Sequence, residues 1–231
     1  MASMISLFAS YTSQGAAAMT VTTLTTPSRR SAAPSPALAA GVYVGAWVVG
    51  LTAFGAGPGA DATTAEVTAW YADHRLASAL QSLSVHGVAA IALLGVLVAA
   101  HRSVRSNRVA HAAGVAGVVL SIVQLGLGLW RSAWSTGTMT ADLVAAIDRL
   151  DGVKMLAFAV MIGAAVRGLR SAGLVGGRMA RLGGAATVAL AASGAGYLLD
   201  VAALETAAFV SLPLLLVWVG TLGIRVARTA H

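Results

Sequence analysis

The sequence predicts an all-α polytopic membrane bundle of six transmembrane helices, with two short amphipathic helices on its outer face. Three observations carry this. The 231 residues are 58% hydrophobic and only 10% charged, against about 25% charged in an ordinary soluble domain, and the mean hydropathy is +0.81. Apolar stretches recur along the chain at close to the ~20 residues a spanning helix needs. The basic residues fall in short clusters between those stretches, the pattern of membrane loops. A soluble fold of this composition would present large apolar patches to water, whereas lipid is a solvent for them.

Each element follows in order. Residues 1–36 are rich in Ser, Thr and Ala, with Pro27, Pro34 and Pro36; such a composition buries no core and reads as a disordered tail. The transmembrane domain is then expected over residues 37–228. Its spans are predicted at 37–57, 76–100, 109–130, 152–166, 183–203 and 206–224. The fourth is the shortest and has Lys154 near its start. Between the first two spans, Thr63-Thr64-Ala65-Glu66 fits a capping box, followed by Val67, Trp70 and Tyr71 at helical spacing. Between the third and fourth, Leu143, Ile147 and Leu150 form an apolar stripe beside Asp142, Asp148 and Asp151. Both segments read as helices lying on the membrane surface. Their endings, Asp73-His74-Arg75-Leu76 and Asp148-Arg149-Leu150, are alike enough to suggest a repeat of the first two hairpins.

Charge sets the orientation. The loops of one side hold 11 basic residues and those of the other only Arg75, Arg131, Arg149 and Lys154. Positive-inside bias places the first side, and with it both termini, in the cytoplasm of a bacterial cell membrane. All eight acids (Asp61, Glu66, Asp73, Asp142, Asp148, Asp151, Asp200 and Glu205) fall on or near the opposite side, which four or five spans would scramble. The net charge of +7 therefore belongs to loops facing a membrane and not to a nucleic-acid surface.

The chain has no cysteine, which excludes disulfides, thiolate metal sites and thiol redox chemistry. No carboxylate accompanies a His pair at ligand spacing, so no metal is expected. His101 and His111 end neighbouring spans and could meet, but both sit beside arginines, so no haem or other cofactor is expected. Ala192-Ser193-Gly194-Ala195-Gly196 has the look of a serine-protease helix, but the last span carries no His; small residues that let helices approach explain it better. Gly41 and Gly45 form a GxxxG step read the same way. No catalytic residue is expected.

Ionisable groups inside a span are costly and mark candidate sites. Gln81, Ser82, Gln124, Lys154, Asp200 and Ser211 are predicted at similar depth in the outer half, with His86 near the middle of the second span and Ser78, Ser82 and His86 on one helical face. The expectation is an outward-facing polar cluster that binds a small molecule or ion, with Asp200 and Lys154 as an ion pair. The alternative is a non-catalytic module acting through a partner or a second copy, in which Asp200 points to the headgroups and the Gly41/Gly45 face is a contact surface. Expected partners are thus the lipid bilayer, a homo-oligomer or an unidentified small-molecule ligand.

The segments Gly57-Pro58-Gly59-Ala60-Asp61, Ala65-Glu66-Val67, Trp70-Tyr71-Ala72-Asp73-His74-Arg75, Arg170-Ser171-Ala172-Gly173-Leu174 and Arg181-Leu182-Gly183 together resemble a broad group of bacterial multi-helix membrane proteins with no assigned activity. The resemblance implies the fold and a membrane location, and brings no functional residues with it.

Overall fold

The computed structural model describes residues 35–229 except 56, 59–61, 104–106 and 135–136. The expected tail lies outside the described residues apart from its last two. The described chain is all helix and connection. In order come α1 (Pro36–Ala53), α2 (Thr64–Asp73), α3 (Arg75–Arg102), α4 (Arg108–Ala133), α5 (Gly137–Ser171), α6 (Gly177–Leu199) and α7 (Ala202–Thr229). All except α2 are long and apolar enough to cross a membrane, which makes six candidate spans among the described residues.

Local chemistry sets the boundaries. Pro36 opens α1, where its missing N–H costs nothing, and Ser35 Oγ accepts the Leu38 N–H at 3.1 Å. The helix ends at Ala53, short of the expected 57, because Gly55 turns the chain at φ +80°. The predicted capping box is present at α2. Glu66 N–H donates to Thr63 Oγ1 at 3.3 Å, and Thr63 N–H donates back to Glu66 Oε2 at 2.8 Å. Asn107 caps α4 and also ties it to α5, its Nδ2 donating to the Ala164 carbonyl at 2.9 Å.

Two features differ from expectation. The amphipathic segment before the fourth span is helical but not separate: it forms the first turns of the 35-residue α5. At 1.5 Å per residue that helix is about 50 Å long, well beyond the ~30 Å hydrocarbon layer. No proline interrupts it, and Gly152 stays helical because its missing Cβ is needed for a close approach. A Cβ there would lie 2.9 Å from the Gly194 carbonyl oxygen of α6. The suggested repeat fails at the same place, since Asp73-His74-Arg75 breaks α2 from α3 whereas Asp148-Arg149-Leu150 continues one helix. Second, α3 contains a π-helical turn over Leu83–Val88.

Helices consecutive in the chain pack side by side, and α7 closes against α1, so the six spans form a ring. Its centre is filled by Tyr43, Leu93, Met161, Ile162, Leu215 and Trp218. Gly117 leaves the room that the Phe158 ring occupies. Outward, the spans expose Val48, Ile91, Val119, Val160, Val188 and Val217. A buried centre inside an apolar exterior is the arrangement lipid requires, and the chain is a multi-pass membrane protein. One end of the bundle carries the described acids and is called here the acidic end; the other is the arginine-rich end.

Candidate functional site

In the acidic-end half, the ring encloses polar groups. Lys154, on the inner face of α5, is only 2% exposed. Its Nζ donates to Gln124 Oε1 at 2.6 Å and pairs with Asp151 one turn earlier. Gln124, fully buried on α4, uses its Nε2 to donate to the Ile147 carbonyl at 3.1 Å. Each side chain of this trio therefore has a partner, as burial in a low-dielectric interior demands. The Trp47 ring of α1 stands 5.9 Å from Lys154 Nζ.

Asp151 remains partly open on one side, where it lines a chamber of about 210 Å³. Trp47, Tyr71, Gln81, Ser82, His86 and Arg131 share its wall. His86 sits on the π-helical turn, a distortion frequent at functional sites. Its Nδ1 is sealed from solvent and has no hydrogen-bond partner. Gly50 makes this turn possible by letting Val85 against α1, where Ser84 Oγ donates to the Ala46 carbonyl at 2.7 Å. Gln81 Nε2 donates to the Gly55 carbonyl at 3.2 Å and so anchors the turn after α1.

Arg131 is buried at the end of α4. Its Nη2 donates to Ser78 Oγ at 3.2 Å, and its guanidinium lies 3.9 Å from the centre of the Tyr71 ring, a cation–π contact. Ser132 Oγ donates to Ser78 Oγ as well, at 3.2 Å. Tyr71 is outside the spans on α2. Burial pushes its hydroxyl pKa up, against the opposing pull of the Arg131 charge. The same ring lines a second, wider cavity of about 440 Å³ at the acidic end, together with Asp148, Tyr197, Asp200 and Glu205. Tyr71 is thus the wall common to an acidic vestibule and the inner chamber.

The sequence-predicted residues divide accordingly. Gln81, Ser82 and His86 line the chamber; Gln124 and Lys154 bond to each other behind it. Asp200 is not with them. It is the exposed cap of α6, in the left-handed region at φ 55° and ψ 46°, and Lys154 pairs with Asp151 instead. The expected Asp200–Lys154 pair is therefore corrected: α6 ends at Leu199, so Asp200 leaves the helix before it can face inward. Asp occupies that backbone region more readily than most residues. Gly41 and Gly45 are exposed, and a Cβ added at either would meet nothing within 4 Å among the described residues.

No site role is read from sequence for Asp151, Arg131, Tyr71 or Trp47. Only Asp151 carried a clear signal, its i, i+3 spacing to Lys154. Ser193 and Ser211 meet at 3.2 Å between α6 and α7, where Ser193 Oγ also donates to the Leu190 carbonyl; this is helix packing. Among the described residues, no three His, Asp or Glu side chains converge as a metal set would. Comparisons with family models, curated proteins and solved structures find no match.

Proposed function

We propose that this protein binds a small polar molecule or ion in the inner chamber, entering through the acidic vestibule, as a binding or transport protein of the bacterial cell membrane. One observation carries the reading: Arg131, Asp151 and His86 border one cavity inside the spans. Ionised groups in a membrane interior are costly and are kept where they line a pathway or a site. The chamber, at about 210 Å³, is below the ~300–1,000 Å³ typical of drug-sized ligands, so the solute has few heavy atoms. A guanidinium, a carboxylate and an imidazole nitrogen in one wall suit a solute that both donates and accepts hydrogen bonds.

The test is thermal stability of the purified protein with alkali cations, ammonium, small amines, small carboxylates and amino acids. A ligand that binds only the folded state raises stability. The expected result is a stabilising solute whose effect is lost in His86→Ala and kept in Asp200→Asn. Loss in Asp200→Asn alone would move the site to the vestibule.

A second reading, association with a second copy, is supported by the exposure of Asp200 and by the open space beside Gly41 and Gly45. A protein that no solute stabilises, and whose oligomer is broken by Gly45→Leu, would favour it.

For orientation, positive-inside bias supports a cytoplasmic arginine-rich end and both termini in the cytoplasm. The chain lacks cysteine, so single cysteines at positions 135 and 106 report sidedness directly. Labelling in intact cells is expected at 135 and not at 106; labelling of both from outside would sink this topology.

A further inference from the structure

The arginine-rich end holds a second constellation, independent of the chamber. His101 lies in the last turns of α3 and His111 in the first turns of α4, and the hairpin between these helices brings their rings together. The ring centroids are 4.6 Å apart with planes tilted by 31°. Both rings line a cavity of about 40 Å³, which Met161 of α5 and Trp218 of α7 also border. Met161 is 1% exposed. Its sulfur packs against α4 one turn after His111: a Cβ placed on Gly114 would lie 3.0 Å from Met161 Sδ. His111 Nδ1 is shut off from solvent and has no hydrogen-bond partner.

We propose that His101, His111 and Met161 form a site for one soft monovalent metal ion, copper(I) or silver(I). The donor set decides the class. A thioether is a ligand that soft ions select, and imidazole suits copper among other metals. With no thiolate or carboxylate to offset charge, and with Arg102 and Arg108 on the adjoining turns, a single positive charge is the one the site accepts most easily. The spacing fits one bent ion. Metal–nitrogen bonds of about 2.0–2.1 Å let two imidazoles at this separation share a metal. The same separation is too small for a porphyrin between them on opposite axial faces. The cavity has room for one ion or a few waters. His101 is exposed, which supplies an entry path from the arginine-rich end, while Met161 and Trp218 close the inner side.

The competing occupant is a water molecule bonded to His111 Nδ1. The experiment separates the two. Silver(I) is titrated into the purified full-length protein, with calorimetry for affinity and native mass spectrometry for stoichiometry. Copper(I) is measured in parallel by competition with a chromogenic chelator under reductant. One tightly held ion per chain is expected. His111→Gln is expected to weaken it by about 100-fold or more, the upper range for losing even an indirect supporter of a metal site, and Met161→Leu by less. His74→Ala is expected to leave it unchanged. Should His111→Gln fail to fold, His101→Gln at an exposed position gives the same reading. Absence of tight binding by wild type, or binding untouched in the His101/His111 variants, would overturn the proposal. Neither result bears on the chamber, because none of its residues is used here.

Discussion

The two halves of the bundle are built from the same six helices and have opposite interiors. Within α5, Asp151 and Lys154 face the acidic-end half, and one to two turns later Phe158, Met161 and Ile162 face the other. Within α4, Gln124 and Arg131 belong to the first half, while Gly117 and Val118 belong to the second. One half is a network in which buried polar atoms must find partners; the other is a mainly apolar core held by shape, with the His101/His111 cavity at its far end. Toward the arginine-rich end the interior is Leu93, Val96, Ile162 and Leu215, all nearly fully buried, so the buried polar groups end part-way through the bundle. The difference teaches where function is to be sought. Lipid gives no reason to bury Lys154, Asp151, Arg131 and His86 on one side only, and packing alone is achieved more simply in the dry half.

Breaking the polar half is expected to give the largest effect. Lys154→Ala leaves Asp151 and Gln124 Oε1 without their donor. Removing one member of a buried pair costs about 3–5 kcal/mol. In the dry half, Ile162→Val at a position that is fully buried removes one methylene and costs about 0.5–1.5 kcal/mol. Unfolding free energies in mixed detergent micelles measure both. The comparison sharpens with Asp151→Asn/Lys154→Met, which removes both charges at once and is expected to recover much of the Lys154→Ala loss. If Lys154→Ala costs no more than Ile162→Val, the network contributes nothing that packing does not, and the two halves are equivalent.

The sequence showed the dry half better than the polar one. Spans are legible because an apolar stretch of sufficient length has one stable place to go, and all six appear. The polar site needed information that hydropathy does not carry. Asp200 was placed by counting depth along a span, but depth is meaningless once the helix ends, and α6 ends one residue too early. Arg131 and Tyr71 read as ordinary loop and interface residues because each lies near a span boundary; their cation–π contact depends on how α2 folds back over α4, which no local pattern states. The π-helical turn that carries His86 is set by tertiary packing against Gly50. Lys154 needs a partner because an uncompensated buried amine is costly; the sequence reading offers Asp200, whereas the structure supplies Gln124 and Asp151.

The smaller effect lies at the rim of the acidic end, where α2 holds Tyr71 over the chamber. Thr63→Ala removes the hydroxyl that accepts the Glu66 N–H, and loss of such a cap costs about 0.5–2 kcal/mol. The Glu66 carboxyl is held below its ordinary value of 4.5, first by the Thr63 backbone N–H and then by the Thr63 hydroxyl. A depressed folded-state value means that the stabilisation is complete above the unfolded value and is lost as pH falls through the folded one. The order of causes makes the variants distinguishable. Thr63→Ala keeps the backbone donor, so the acid sensitivity of α2 is expected to shrink but persist, whereas Glu66→Gln is expected to abolish it. Amide hydrogen exchange of residues 64–73 between pH 6 and pH 3 measures this, with the exchange of α5 as the internal reference. If α2 loosens in acid equally in Glu66→Gln and in wild type, its start is not anchored by the capping box, and Tyr71 is positioned by Arg131 alone.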